Sequence, residues 1–261
     1  MTSLALPAFG AFTAPSDWQV IDFISDLHLA ADTPRGFDAW ASYMRGTRAD
    51  AVFILGDLFE VWVGDDARHE GFEARCAEVL TQTAALRCVA FMVGNRDFLV
   101  GTEVLSACNV TALCDPTVVT AFGERVLITH GDALCLADTD YQKFRAMVRS
   151  PEWQASVLAR PLAERRALAR EVRHESERRH GVMLPEWLDL DLVASVEWMR
   201  AADAPVLVHG HTHRPADQVL EPGRTRHVLS DWELDHTAPS RAEVLRWTRD
   251  GLRRIAPESA G

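Results

Sequence analysis

The sequence predicts an α/β protein built on parallel strands, and three observations predict it. Short apolar runs recur along the 261 residues, stretches of helical periodicity separate the early ones, and five of the runs stop abruptly in a polar cluster. Apolar runs alternating with helical patterns read as strand–helix–strand units with parallel pairing. In open sheets of that kind the loops at the carboxyl ends of the strands carry the chemistry. The five clusters are therefore candidate site loops. The even spread of the runs favours one domain, residues 1–261, over two small ones.

The most regular run is residues 51–55, Ala-Val-Phe-Ile-Leu, closed by Gly56 and Asp57. Five apolar residues read as a strand buried on both faces, which leaves Asp57 presented rather than packed. Before it, residues 20–25 run into Asp26-Leu27-His28, and Phe37, Trp40, Ala41 and Met44 fall at helical spacing. After it, Phe72, Cys76, Val79, Leu80 and Thr83 mark a helix over residues 70–86. That helix feeds a strand at 89–93, which ends in Gly94-Asn95-Arg96-Asp97. Residues 98–107 read as a short helix. Residues 117–122 and 125–129 flank Gly123-Glu124 as a hairpin, whose second strand runs into His130-Gly131-Asp132.

The periodicity then changes. From Tyr141 to about His180 there is no strand signal, and apolar residues recur at helical intervals, with Pro151 and Pro161 marking helix starts or breaks. This is a helical insertion, about 139–187, between the fourth cluster and the fifth. A further helix at 190–201 precedes a strand at 206–208, which ends in His209-Gly210-His211-Thr212-His213. Residues 218–255 alternate in short runs, as a closing antiparallel part of a sheet does.

Composition narrows the class. A content of 48% hydrophobic and 25% charged residues is that of a folded globular chain. No apolar run approaches the roughly 20 residues of a membrane span, and residues 1–15 lack the features of a secretory signal, so a cytoplasmic protein is expected. Five scattered cysteines without C-x-x-C spacing read as reduced and structural. The net charge of −11 argues against nucleic acid as partner. Residues 139–183 reverse that balance locally, with ten Lys or Arg against six Asp or Glu.

The clusters share one chemistry. Asp26 and His28, two apart in a loop, converge on one ion. Asp57 has two oxygens with which to bridge two ions, Asn95 offers an amide oxygen, and His130, His211 and His213 offer imidazoles. Hard oxygens mixed with imidazole, without thiolates, suit Mn²⁺, Fe²⁺ or Zn²⁺. A pair of ions about 3.5–4 Å apart serves phosphate-ester hydrolysis, clamping the phosphoryl oxygens while a bridging hydroxide attacks in line. Singly, each element has a plainer reading: Asp-x-His by chance, Gly-Asp as a turn, Asn95 as a helix cap, His130 as a structural histidine. Their order, each at the end of an apolar strand, favours the metal site. Asp97 and Asp132 are expected to orient the ligand imidazoles by accepting their N–H groups.

At this point the chain resembles the calcineurin-like metallophosphoesterases. Their D-x-H, G-D, G-N, H and G-H-x-H motifs stand here as Asp26-Leu27-His28, Gly56-Asp57, Gly94-Asn95, His130 and Gly210-His211-Thr212-His213, across residues 22–215. The resemblance implies a four-layer α/β/β/α sandwich. It places Asp26, His28, Asp57 and His213 around one ion and Asp57, Asn95, His130 and His211 around the other. Most of that superfamily has a histidine after the asparagine to protonate the leaving oxygen, but here Arg96 stands there. Arginine does not donate a proton near neutral pH, yet its fork grips a phosphate pair. The site thus looks built for a diphosphate whose leaving phosphate needs little protonation.

With Ser25-Asp26-Leu27-His28-Leu29, Gly94-Asn95-Arg96-Asp97, His130-Gly131-Asp132-Ala133-Leu134-Cys135 and His209 to Pro215, the chain is similar over nearly its whole length to the UDP-2,3-diacylglucosamine diphosphatases of lipid A synthesis. That likeness implies hydrolysis of the pyrophosphate to UMP and 2,3-diacylglucosamine 1-phosphate, with two Mn²⁺ ions per subunit. It implies Asn95, Arg96 and His211 as catalytic residues, and substrate contacts at Asn95, Arg96, Asp138, Ser176 and His211. His180 and Met183 occupy two further contact positions where the family has Asn and Lys. The helical insertion becomes a cap over the acyl chains and glucosamine, and the enzyme rests on the cytoplasmic face of the inner membrane. The insertion's positive excess agrees with an anionic lipid surface, although a solvated helix face explains it equally well. A monomer is expected. A hydrolase of another diester and a non-catalytic scaffold are the rivals; Arg96 argues against the first, and the complete set of seven donors against the second.

Overall fold

The structure, a computed structural model, describes residues 6–180 and 189–261, with the side chains of 172–180 outside that description. In chain order the elements are β1 (Gly10–Thr13), β2 (Ile21–Ile24), α1 (Pro34–Gly46), β3 (Ala51–Leu55), α2 (Gly71–Ala84), β4 (Cys88–Met92), α3 (Thr102–Ala107) and β5 (Thr111–Ala112). There follow β6 (Thr117–Ala121), β7 (Glu124–Thr129), α4 (Thr139–Val148), α5 (Pro151–Leu158), α6 (Leu162–His180) and α7 (Leu192–Ala201). The described chain closes with β8 (Val206–His209), β9 (Ala216–Glu221), β10 (Arg224–Val228), β11 (Val244–Thr248) and β12 (Gly251–Ile255).

The period-2 alternation of strand side chains divides these elements into four layers. Every residue of β3 is buried. Ala51, Phe53 and Leu55 join Ile21, Phe23, Ala90 and Met92 in a core shared with Val119, Val126, Ile128 and Val208 of the second sheet. Val52 and Ile54 point the other way, with Ile24, Val89 and Phe91, against Phe37, Trp40, Met44, Val79 and Leu80 of α1 and α2. On the far side Val118, Leu127 and Leu207 pack on Ala194, Trp198 and Met199 of α7. The order from outside to outside is helix, sheet, sheet, helix.

One sheet has the order β12-β11-β2-β3-β4-β5 and the other β1-β6-β7-β8-β10-β9. β2, β3 and β4 pair in parallel, and so do β7 and β8 across the helical insertion. The five strands that end in polar clusters are therefore β2, β3, β4, β7 and β8. Side-chain caps start the inserted helices: Asp138 Oδ1 accepts from Tyr141 N at 2.9 Å, and Ser150 Oγ accepts from Trp153 N just ahead of Pro151. The insertion docks through Arg149 Nη2, which donates to Gly94 O at 2.9 Å, through Gln154 and Phe98 O, and through Arg165, whose guanidinium meets Asp66 and Val63 O.

Three details differ from the sequence reading. The hairpin turn is Phe122-Gly123, both at positive φ (57° and 84°), so that Ala121 pairs with Glu124. A two-residue turn needs that backbone twist at both central positions, and Phe122 adopts it. The tail does not close a single sheet: β9 and β10 extend one, while β11 and β12 extend the other. β1 and β5 are edge strands too short or too exposed to carry a sequence signal.

One polar knot holds β2, α1 and β11 together. Asp22, fully buried, accepts from Arg246 Nε and Nη2 at 2.8 and 2.9 Å, from Tyr43 Oη at 3.0 Å and from Thr47 Oγ1 at 3.0 Å. Removing one partner of a buried pair leaves the other charge uncompensated, at a cost of about 3–5 kcal/mol. Asp22→Ala is expected to lower unfolding free energy by that amount in urea titrations, with the activity per folded molecule retained.

Candidate metal centre

The polar clusters converge. Asp26, His28 and His213 present one ligand atom each within 4.8 Å of one another, and so do Asp26, Asp57 and His130. Asp57 Oδ2 lies 3.9 Å from His28 Nε2 and 3.8 Å from His130 Nε2, so a single oxygen faces both halves of the site. Asn95 Oδ1 sits 2.8 Å from His130 Nε2 and 2.8 Å from His211 Nδ1. His28 Nε2 and His213 Nε2 are 3.2 Å apart. All seven expected donors share one pocket. Asp26 belongs to both close groups, a sharing the sequence reading gave to Asp57 alone.

Backbone conformation places them. Asp26, His28, Asp57, His211 and His213 all have positive φ, between 48° and 69°. Such residues cost about 1–3 kcal/mol each and persist only where their surroundings hold them. Here Leu27 N and His28 N both donate to Asp57 O, Asp26 N donates to Gly56 O, and Trp232 N donates to Asp26 O. Glycines clear the space. A Cβ on Gly56 would stand 2.6 Å from His130 Nδ1, and one on Gly94 or Gly210 would strike the Asp57 or the Asp26 carboxylate.

The unused ring nitrogens are anchored. His28 Nδ1 lies 2.9 Å from Glu60 Oε2, His213 Nδ1 3.7 Å from Asp231 Oδ2, and His130 Nδ1 2.9 Å from Leu55 O. A carbonyl can only accept, so Nδ1 of His130 carries a proton, and Nε2 is the ring atom turned toward the oxygens of Asn95 and Asp57. Burial opposes charge on His130, but Asp57, Asp132 and Asp26 outweigh it and raise the imidazole to about 9. Burial likewise resists charge on Asp26, yet His213, His130 and His28 hold its carboxyl well below the usual range. Burial, with the charge of His130, lowers His211 to about 3. Two buried carboxylates, Asp26 and Asp57, ringed by imidazole and amide donors, suit a divalent ion.

Two expectations fail in detail. Asp97 accepts no imidazole N–H: its oxygens take Gly94 N at 2.7 Å and Leu58 N at 2.8 Å, and burial together with Asp57 raises it to about 7. Asp132 takes Tyr141 Oη at 2.6 Å and Arg145 Nε at 2.8 Å instead. The imidazole anchors are Glu60, Asp231 and Leu55 O. Asp231 follows β10, whose residues Arg-Thr-Arg-His-Val are mostly polar, so no apolar run marks it in the sequence; Glu60 lies three residues from Asp57 in the same loop.

Of the other expected contacts, Arg96 is half-buried at the pocket, its N–H on Asp57 Oδ1 at 2.8 Å and its guanidinium 3.7 Å from Glu60 Oε1. Asp138 spends one oxygen capping α4. Ser176 and His180 are on α6 with side chains outside the described residues, and Met183 lies outside them altogether.

The family model for calcineurin-like phosphoesterase matches residues 20–215. Among curated proteins, UDP-2,3-diacylglucosamine hydrolase of Chromobacterium violaceum is 46% identical over 217 residues, covering 81% of this chain and 90% of its own. The protein of the same name from Bordetella pertussis is 41% identical, covering 87% and 91%. That from Ralstonia nicotianae is 39% identical, covering 91% and 92%.

Groups that orient ligand imidazoles tune ion affinity about 10–100-fold. Glu60→Gln and Asp231→Asn are each expected to weaken Mn²⁺ binding by that factor in titration calorimetry. Gly94→Ala, which sets a methyl on the Asp57 carboxylate, is expected to abolish binding with the circular dichroism spectrum unchanged.

Proposed function

From a chain that belongs to the calcineurin-like phosphoesterase family, and within it groups with the UDP-2,3-diacylglucosamine hydrolases, we propose that it hydrolyses the pyrophosphate of UDP-2,3-diacylglucosamine. The products are UMP and 2,3-diacylglucosamine 1-phosphate, as in lipid A synthesis. The observation that carries this reading is the convergence of seven oxygen and imidazole donors beside Arg96, in a chain 46% identical to a relative of that name.

Asp26, His28, Asp57 and His213 would hold one divalent ion, and Asp57, Asn95, His130 and His211 a second; Mn²⁺ fits the mixed donors. When bound, such a pair supplies Lewis acidity to the phosphoryl oxygens and an activated water. The chain's own groups do the rest. Glu60 and Leu55 O fix the orientation of His28 and His130, and the Asp231 carboxylate faces His213 Nδ1 at 3.7 Å. The Arg96 guanidinium neutralises and aligns the diphosphate, and its peptide N–H keeps Asp57 in place. Asn95 and His211 orient the phosphoryl group. No general acid is required at Arg96, because the departing phosphate is already a good leaving group.

The whole chain acts as one domain, with residues 139–187 as a cap over the acyl chains and sugar, and Asp138, Ser176, His180 and Met183 are its proposed substrate contacts. No helix among the described residues is long and apolar enough to cross a membrane. The proposed attachment is peripheral, through the basic insertion on the anionic cytoplasmic face of the inner membrane, by a monomer.

The test is turnover of UDP-2,3-diacylglucosamine with Mn²⁺, followed by mass spectrometry. UMP and the sugar 1-phosphate are expected, and chelation should stop the reaction. Asp57→Ala should reduce kcat to background. Arg96→Ala should lose about 10²–10³-fold on the diphosphate, the scale of one charge-stabilising donor, and much less on bis(4-nitrophenyl) phosphate. Faster cleavage of the generic diester than of the lipid would reject the substrate assignment.

A further inference from the structure

Tyr141, Arg145 and Arg149 are spaced four residues apart along α4 and its end, which stacks them on one face. All three reach the same carboxylate. Asp132, fully buried, accepts from Tyr141 Oη at 2.6 Å, from Arg145 Nε at 2.8 Å and from Arg149 Nη2 at 3.4 Å. Neither arginine ends there. Arg145 Nη2 lies 3.7 Å from Asp115, and Arg149 Nη2 donates to Gly94 O at 2.9 Å.

Gly94 is the residue that leads into Asn95. Its N–H donates to Asp97 Oδ1 and its carbonyl accepts from Arg149, while Arg96 N donates to Asp57. Both polar groups of that residue are thus tied, one from the sheet side and one from the insertion. Tyr141 acts on the opposite loop: its ring stacks on His211 at 6.1 Å and 28°. His211 in turn faces Asn95 Oδ1 and donates its backbone N–H to Asp26. One face of α4 therefore touches the two loops that carry Asn95 and His211.

We propose that Tyr141 and Arg149, joined through Asp132, are positioning residues that set His211 and the Gly94–Arg96 loop for ion and phosphoryl binding. The inference deepens the function proposed above and rests on it for the substrate alone. Without Arg149 the Gly94 carbonyl loses its charged donor and the Asn95 oxygen drifts from the imidazole pair. Without the Tyr141 hydroxyl the ring loses the bond that holds it against His211. Displacements on the order of 1 Å at a reacting centre cost about a hundredfold in rate.

The experiment uses the full chain with Arg149→Ala, Arg149→Lys and Tyr141→Phe. It reads Mn²⁺ affinity by calorimetry without substrate, kcat and KM on UDP-2,3-diacylglucosamine, and melting temperature. Arg149→Ala is expected to weaken Mn²⁺ binding and kcat by about 10–100-fold, with KM within about threefold of the parent. Arg149→Lys should recover part of both losses, since an ammonium still donates to Gly94 O. Tyr141→Phe should fall between the parent and Arg149→Ala. Folded variants whose Mn²⁺ affinity and kcat stay within about twofold of the parent would overturn the proposal, as would a loss confined to KM, which marks a substrate contact. If Arg149→Ala does not fold, Tyr141→Phe carries the same comparison. If the parent leaves the lipid intact, the functional reading fails, and the Mn²⁺ measurements alone decide the positioning role.

Discussion

Two carboxylates shut away from water, Asp26 and Asp57, are the constraint around which the rest is arranged. Each is almost completely buried, and each is flanked by imidazoles rather than by a lysine or arginine in direct contact. A buried charge without compensation costs several kcal/mol, so such a pair persists only where the fold can hold it and a cation can complete it. The fold holds it with backbone. Strands β2 and β3 run parallel, and the loops leaving them exchange hydrogen bonds at Gly56 O and Asp57 O. The left-handed conformations of five donors then follow from loops that must turn sharply back over the sheet ends. The strain sits where a divalent metal would repay it, which is the pattern of strain stored at functional sites.

What the sequence made legible was the part governed by burial. An apolar run such as Ala51 to Leu55 reports a strand closed on both sides, and Gly56 reports a backbone that nothing larger can replace. From these the donors of all five loops can be named in order. Less legible was anything that depends on which partner a buried face meets. The alternation in residues 218–255 is satisfied equally by either sheet, and only tertiary packing sends β10 to one and β11 to the other. Asp97 looked like a group for orienting an imidazole because it stands among ligands. It is instead turned inward to the peptide N–H groups of Leu58 and Gly94. Sequence adjacency gives the neighbourhood of a carboxylate, not the direction in which it points.

Glu60 and Asp231 show the same limit from the other side. Each holds the rear nitrogen of a histidine, His28 and His213, which are 185 residues apart. Asp231 is itself gripped by Arg241 at 2.7 and 2.6 Å. The carboxylate that faces His213 Nδ1 at 3.7 Å is thus held from the surface by a bidentate guanidinium. Rigidity of this kind matters more than the number of contacts, because an ion site tolerates errors of only a few tenths of an ångström.

The helical insertion is attached by a different physics. α4 and α5 bury one valine each, Val148 and Val157, and their firm contacts are made by Arg145, Arg149 and Gln154 to carboxylates and carbonyls. Arg165, at the start of α6, is buried against Val63 O and Asp66 in the same manner. Directional polar contacts of this sort fix an angle without consuming apolar surface. Met147 and Leu158 consequently remain 48% and 42% exposed. Helices that packed these side chains into the sheets would be more stably seated but would leave the proposed cap no apolar side chain to offer an acyl chain. Docking by arginine resolves that conflict. It holds the insertion in register with the loops at Gly94 and Asp132, and it leaves Met147 and Leu158 exposed, as the proposed cap would need.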